Sequence, residues 1–351
     1  MQLFAFFSGQ VQFVEDFRHG VIIPALFLRL FKHDCILGHG NKFGPAQQGF
    51  AETSEERGSH PYNYQGDLKK GKAGFGPYNK GDYAPDALGD EVVDFLRRHK
   101  DERFFLFFSQ YYVHYPLHTR CKWLVEKYEK KAAAARLKLN DAQITYAAFV
   151  ETMDHLLGRV LDALDKYKLS DGTLVVLTSD NGGDPRVAWN GLRGSKWTLY
   201  EGGVREPFIV RWPGVTKAGA TSDVPVIATD LMPTFCEVAG VKPPAVPLDG
   251  ISILPLLTGK TGKLDRDTLI WHFPFYHAAF VGTKPCSSIR KGDMKLIHFY
   301  EDGRSELYDL ASDPMEKNDL SKTQPRLAER LKDELLGALK QQNARFPESR
   351  P

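Results

Sequence analysis

The run Thr178-Ser179-Asp180-Asn181-Gly182-Gly183 follows directly on an apolar stretch, Leu174-Val175-Val176-Leu177. Ligands of α/β sheets bind beyond the carboxyl ends of the strands, so an apolar strand that ends on adjacent oxygen-bearing side chains is a natural seat for a hard cation. Carboxylate and amide oxygens suit Ca²⁺ or Mg²⁺ and not a soft metal, which makes Asp180 and Asn181 candidate metal ligands. Next come Gly191-Leu192-Arg193-Gly194-Ser195-Lys196 and Tyr200-Glu201-Gly202-Gly203-Val204-Arg205-Glu206-Pro207-Phe208. The ammonium of Lys196 can meet an anion held by the cation, so the segment proposes a metal-assisted hydrolase of a negatively charged ester. Each piece also has a plainer explanation. Asp-Asn-Gly-Gly after a strand is more often a turn, glycine pairs mark tight turns, and a lone lysine is usually solvated. The order and spacing of all the pieces favour the chemistry.

Elements that would position these residues are legible on both sides. Leu88, Val92, Val93, Phe95 and Leu96 share one side of a helix expected over 84–100, and an apolar strand follows over 104–109. Ile144, Ala148, Val150, Met153, Leu157, Val160, Leu161 and Leu164 recur at three and four, predicting an amphipathic helix over 142–168 that feeds the strand at Leu174. Such helix-to-strand units build a mostly parallel sheet. Residues 130–138, with four consecutive alanines, read as a charged helical surface piece. Near Arg266 the pattern changes to strands over 269–273, 288–300 and 305–310, with a hairpin signal at Asp302-Gly303, and then a helix over 325–339 opened by Pro325. Residues 1–36 show no period and stay unassigned, so the expected organisation is an α/β domain over 37–265 and an α+β subdomain over 266–351.

Composition sets bounds on function. With 351 residues, 42% hydrophobic and 26% charged, the chain suits one large α/β domain plus an appendage. A net charge of +2 gives no reason to expect nucleic acid. The 4 cysteines form no CxxC pair and so predict neither a zinc framework nor a disulfide scaffold. No apolar run reaches the roughly 18 residues of a membrane span. The apolar stretch 20–28 is a poor signal peptide, because Glu15 and Asp16 precede it and Arg29 and Lys32 stand where small residues should mark cleavage.

Taken together, Ser179-Asp180-Asn181-Gly182-Gly183, Leu192-Arg193-Gly194-Ser195-Lys196 and Tyr200-Glu201-Gly202-Gly203-Val204-Arg205 resemble the central signature of type I, formylglycine-dependent sulfatases of the alkaline phosphatase superfamily. The resemblance extends to the strand 104–109 with His114-Tyr115-Pro116, to Pro207-Phe208-Ile209-Val210-Arg211-Trp212-Pro213-Gly214, to Asp230-Leu231-Met232-Pro233-Thr234 and to Leu248-Asp249-Gly250. It continues through Ile289-Arg290-Lys291-Gly292-Asp293-Met294-Lys295-Leu296-Ile297, Glu306-Leu307-Tyr308-Asp309-Leu310 and Asp313-Pro314-Met315-Glu316. It implies an alkaline-phosphatase-like, mostly parallel sheet flanked by helices, with a smaller carboxyl-terminal antiparallel sheet and helix. It implies sulfate ester hydrolysis with Ca²⁺, or Mg²⁺, held by Asp180 and Asn181. His114 and Lys196 would hold the sulfate and assist departure of the alcohol; taken alone, His114 reads rather as a core-edge histidine capping a strand, and the surrounding match reverses that preference. The implied partner is a sulfated small molecule or polysaccharide fragment, and family members are usually exported.

The departures cluster at one end. The family makes its formylglycine from cysteine or serine in a C/S-x-P/A-x-R motif, and no such motif is present; Cys286-Ser287-Ser288-Ile289-Arg290 is the nearest imitation and reads as a decoy, an ordinary thiol near the surface. No amino-terminal aspartate pair is present. Where the family's Gly-Lys-Trp-His-Leu-Gly element should fall, Asp34 stands at the lysine position and Ile36 at the histidine position. These losses lead to the expectation of a chain whose opening part is replaced, which lacks the first strand of the sheet, binds metal weakly and does not turn over. A binding-only relative that takes sulfated glycans, and a phosphate or phosphonate ester hydrolase of the same superfamily, are the alternatives. The aromatic and polar loop 59–66 suits either a sugar ring or plain packing.

Overall fold

The computed structural model describes residues 2–8, 26–29, 49–53, 76, 78–84, 87–110, 112–114, 117–187, 191–276 and 283–347. The loop 59–66 and the residues Asp34, Cys35 and Ile36 lie outside the described residues. The chain forms two compact units: Met1–Asp180 with Pro207–Gly262, and Asn181–Glu206 with Lys263–Pro351.

In the first unit a five-stranded sheet has the order β2-β3-β1-β4-β5, built from Gln2–Ser8 (β1), Leu26–Arg29 (β2), Phe105–Ser109 (β3), Thr173–Ser179 (β4) and Phe208–Arg211 (β5). The first four run parallel and β5 is antiparallel to β4. The sheet is sandwiched. Leu106 and Phe108 of β3 and Val175 of β4 pack on helices Ala87–Arg98 (α1) and Asp141–Lys166 (α3) through Val92, Leu96, Val160 and Leu164. Their alternates Phe107, Leu174 and Val176 pack on the other side with Trp212, Leu231 and Val238, the last two from helix Leu231–Ala239 (α4). Strands buried on both faces read as continuous apolar runs, as these do. Each fully buried leucine contributes about 2 kcal/mol, which outweighs the few tenths per residue that helix propensity supplies.

α3 starts where its sequence dictates. Asn140 accepts from the Gln143 amide at 2.9 Å and the Gln143 side chain accepts from the Asn140 amide at 3.0 Å, a reciprocal cap. Its inward face is rotated from the expectation: Val150 is 36% exposed, Met153, Leu157 and Leu161 are half-buried, and Phe149 and Leu156 take the core instead. Helix Lys122–Ala134 (α2) begins well before the expected 130 and stops four residues short of Lys138. Beyond β5, Asp230 is completely buried, accepting from the Ile227 and Ile251 amides at 3.0 Å each. Thr234 extends this tie by accepting from the Ile253 amide at 2.9 Å. The separate motifs at Asp230 and Gly250 are thus partners in packing.

Two expectations about the chain's ends are corrected. Residues 1–36 are not devoid of elements, and the sheet does not lack its opening strand: β1 lies between β3 and β4 and pairs with both. The stretch 288–300 is not one strand but part of a hairpin, Cys286–Lys291 (β7) and Met294–Phe299 (β8), turning at Gly292, whose φ is +58°. With Thr268–Phe273 (β6) and Ser305–Asp309 (β9) it makes the second unit's antiparallel sheet, in the order β6-β7-β8-β9. Helix Pro325–Gln341 (α5) covers one face through Leu331, Leu335 and Leu339 on Ile289, Leu296 and Leu307. The other face carries Cys286, Ile297, Phe299 and Tyr308, packed against Leu199, Tyr200 and Val204.

Candidate active site

Because β3, β1 and β4 run parallel, their carboxyl ends leave the sheet at one edge. The register pairs Phe7 with Ser109 and Ser8 with Ser179. With strands spaced about 4.8 Å, Ser109 and Ser179 stand roughly 10 Å apart across β1. Asp180 follows Ser179 immediately, and His114 follows Ser109 by a short turn; both side chains are half-buried. Tyr115 and Pro116, the rest of the histidine motif, lie outside the described residues. His118, four residues beyond His114, has a ring that sequence inspection passed over. Burial, helped by the nearby Arg120 charge, holds its pKa below the ordinary histidine value and favours the neutral imidazole at pH 7.

Asn181 opens the second unit, and here residues 182–183, 193–196 and 202–203 meet through their backbones. The Gly182 amide donates to Gly203 O at 3.1 Å, the Lys196 amide to Gly183 O at 3.0 Å and the Gly202 amide to Arg193 O at 2.7 Å. Glycine is required where these backbones meet. A Cβ on Gly182 would lie 2.0 Å from Gly202 O, and one on Gly203 would lie 2.1 Å from Thr198 O. The signature's glycines are therefore steric, and they hold a short loop with Lys196 near its middle. The Lys196 ammonium sits 5.1 Å from the Trp197 ring centroid, and its side chain is half-buried.

Both ends of that loop are anchored to the sheet of the same unit. Arg193 donates to Tyr308 Oη at 2.6 Å, to Glu316 O at 2.9 Å and to Tyr200 Oη at 3.0 Å. Its guanidinium also stacks 4.0 Å over the Tyr200 ring. Burial, and then hydrogen bonding to Glu306, raises the pKa of both Tyr200 and Tyr308, so both phenols stay protonated donors. Glu201, 2% exposed, pairs with the fully buried Lys295 ammonium at 2.7 Å, and Glu316, also fully buried, pairs with it at 3.0 Å. Burial pushes the Glu316 carboxyl up against the pull of Lys295. Arg205 approaches Glu201 at 3.9 Å, so two cations face two carboxylates. Removing water from such groups is costly unless each is paired, and here each is.

Sequence inspection gave Arg193, Glu201, Lys295, Tyr308 and Glu316 no role. The available signal was a lysine at an inward position of an alternating strand, Met294-Lys295-Leu296-Ile297, and a glutamate beside two packing glycines. The decoy cysteine is deeper than expected. Cys286 is 4% exposed on β7, and burial drives its thiol up to about 12, away from nucleophilic chemistry. For a metal, Asp180 and Asn181 fit a hard cation in kind but not in number, since Ca²⁺ takes six to eight oxygens. Among the described residues there is no group of three or more His, Cys, Asp or Glu that could hold a metal. The sequence leaving β1, Ser8-Gly9-Gln10, adds no carboxylate. Among the described residues no helix is long and apolar enough to cross a membrane.

Comparison with known proteins identifies the family. Residues 37–241 match the model of the Sulfatase family, and residues 194–344 match that of N-sulphoglucosamine sulphohydrolase, C-terminal. The chain is 37% identical over 280 residues to a sulfatase of Formosa agariphila, covering 74% of this chain and 48% of that protein. It is 35% identical over 230 residues to human arylsulfatase H, covering 62% and 38%. The chain thus spans about half the length, or less, of these curated relatives. Among solved structures it is similar to Ps i-CgsB in complex with k-i-k-neocarrahexaose, with 26% identity, a TM-score of 0.68 and coverage of 93% of this chain and 74% of that one.

Proposed function

From the premise that this chain belongs to the sulfatase family, we propose that it is built to recognise a sulfate ester, with sulfated sugars as the substrate class. The observation that carries the proposal is the Lys196 loop, a glycine-packed backbone tied at both ends, which suits an ammonium that must meet an anion in a fixed place. The sugar class is supported by the match to the sulphohydrolase carboxyl-terminal model and by the oligosaccharide held by a structural neighbour.

The roles follow from the chemistry of the ester. A sulfate ester is a stable monoanion, so its sulfuryl oxygens need positive partners and its leaving oxygen needs a proton. Lys196 donates to the sulfuryl oxygens. His114 is a second hydrogen-bond donor to the sulfate, and it could protonate a departing alcohol only if a nucleophile were supplied. Asp180 and Asn181 would ligate a divalent cation, which when bound neutralises charge on the sulfuryl oxygens. With two side-chain ligands among the described residues, the site should take Ca²⁺ only at about millimolar concentration. The 351 residues contain no C/S-x-P/A-x-R motif from which a formylglycine nucleophile is made, so we assign them binding of a sulfate ester without cleavage.

Calorimetric titration with glucosamine 6-sulfate tests this, in the chain and in Lys196→Ala, together with assays on p-nitrophenyl sulfate and p-nitrophenyl phosphate. The expected result is saturable binding, weakened about tenfold in the variant, as for loss of one charge-assisted hydrogen bond, and no release of p-nitrophenol. Absence of binding, or binding unaffected by Lys196→Ala, overturns the sulfate assignment. Turnover of the sulfate overturns the assignment of binding alone, and turnover of the phosphate overturns the choice of ester.

A further inference from the structure

We propose that Glu316 and Lys295 are positioning residues for Lys196: Glu316 clasps the two ends of the Lys196 loop, and Lys295 is the buried counter-ion that holds the clasp. The proposal rests on the assignment of Lys196 to the sulfate. One residue makes both attachments. The Glu316 carbonyl accepts from Arg193 at 2.9 Å, three residues before Lys196, and its carboxylate oxygen Oε2 accepts from the Glu201 amide at 2.6 Å, five residues after it. The remaining oxygen, Oε1, faces the Lys295 ammonium at 3.0 Å, which also meets Glu201 Oε1 at 2.7 Å. Glu316 thus bridges the loop's feet from outside, alongside the direct bond from the Gly202 amide to Arg193 O at 2.7 Å.

A second observation is independent of these contacts. Glu316 has φ +54°, the left-handed region that side chains other than glycine avoid. Held there, its carbonyl serves one foot of the loop while its side chain serves the other. Strain of this kind persists only where the surroundings over-determine it, and it gathers at functional sites. The cluster also differs from an ordinary surface ion pair. Glu316 and Lys295 are both fully buried, and every charge in the cluster has its partner within the same unit.

Amide hydrogen exchange on the full chain separates positioning from general support. The probes are the amides of Gly182, Lys196 and Gly202, which donate to Gly203 O, Gly183 O and Arg193 O and so tie the Lys196 loop to the backbone around it. In Glu316→Gln, which keeps the shape but weakens the pull of Lys295, these amides should exchange about tenfold faster, and those of α5 less than about threefold faster. Affinity for inorganic sulfate should fall about fivefold, as expected when a first-contact group loses its fixed geometry. Should Glu316→Gln not fold, Glu201→Gln carries the same test from the other foot. Equal acceleration in the loop and in α5, or none in the loop, overturns the clasp. A wild-type chain that binds no sulfate overturns the role of Lys196 instead, and with it the functional half of the inference, while the exchange pattern still decides whether the clasp exists.

Discussion

Replacing Gly203 with alanine probes the packing of the signature with one methyl group. That methyl would stand 2.1 Å from Thr198 O and 2.5 Å from Ser195 O, where no Cβ can sit. Both neighbours are backbone, so relief needs a shift of roughly 1 Å in the chain itself, at the cost of about 2 kcal/mol for overpacking. The shift strains the turn in which the Thr198 amide donates to Ser195 O at 3.0 Å and Thr198 Oγ1 donates to the same oxygen at 2.8 Å. Each bond is worth about 1 kcal/mol. Against this, alanine in the helical turn Glu201–Val204 gains up to about 1 kcal/mol over glycine. The net loss is about 3 kcal/mol, which for a urea slope near 2 kcal/mol per molar lowers the midpoint by about 1.5 M. Gly337, on α5, is the control: a Cβ there meets nothing within 4 Å, so Gly337→Ala should stabilise by about 1 kcal/mol. Urea titration followed by tryptophan fluorescence reports on this unit through Trp197 and Trp271. Equal shifts for the two variants, or a Gly203→Ala midpoint within about 0.3 M of wild type, would refute the reasoning.

Other consequences can be checked in parallel. Arg193→Ala removes three hydrogen bonds from a partly exposed guanidinium and should cost about 3 kcal/mol in the same titration, with Arg193→Lys recovering under half of it because an ammonium lacks the planar fork. In the first unit, burial opposes ionisation of Glu151, but hydrogen bonds from Lys127 and Tyr128 outweigh it and hold the carboxyl below its ordinary 4.5. That contribution to stability is full above pH 4.5 and lost as the pH falls through the lowered value; Glu151→Gln should flatten this acid limb of the stability profile. Cys286 should resist iodoacetamide at pH 8 in the folded chain and react once the chain is unfolded, as mass spectrometry of the peptide would show.

The parallel strands, the amphipathic helices α1 and α3 and the hairpin at Asp302-Gly303 were legible because period, length and turn residues agreed there. Gln2–Ser8 was not, and the reason is physical. Like β3 and β4 it is an apolar run without alternation, but no amphipathic helix precedes Leu3-Phe4-Ala5-Phe6-Phe7 to mark it as the strand of a helix-to-strand unit. The hairpin 286–299 was merged because its turn needs only Gly292 and Asp293, too short a break to separate the two strands in the sequence pattern. For the candidate site, the order of motifs identified Asp180, Asn181, His114 and Lys196 as residues to test. It could not separate side chains that do chemistry from those that hold the loop. Arg193 and Glu201 sit in the signature as prominently as Lys196, and only their contacts with Tyr308, Lys295 and Glu316 reveal them as anchors.

Lys295 lies 94 residues after Glu201, and Glu316 lies 115 after it. At roughly 5–20 residues per second, a ribosome delivers the counter-ion about 5–20 s after the glutamate it must meet. Through that interval the nascent signature has its glycines and its charges but neither clasp nor sheet, and it must wait in contact with water or a chaperone. The segment that names the family is thus among the last parts of the molecule to acquire its shape. A pause in synthesis between the two would prolong its exposure without altering a single residue.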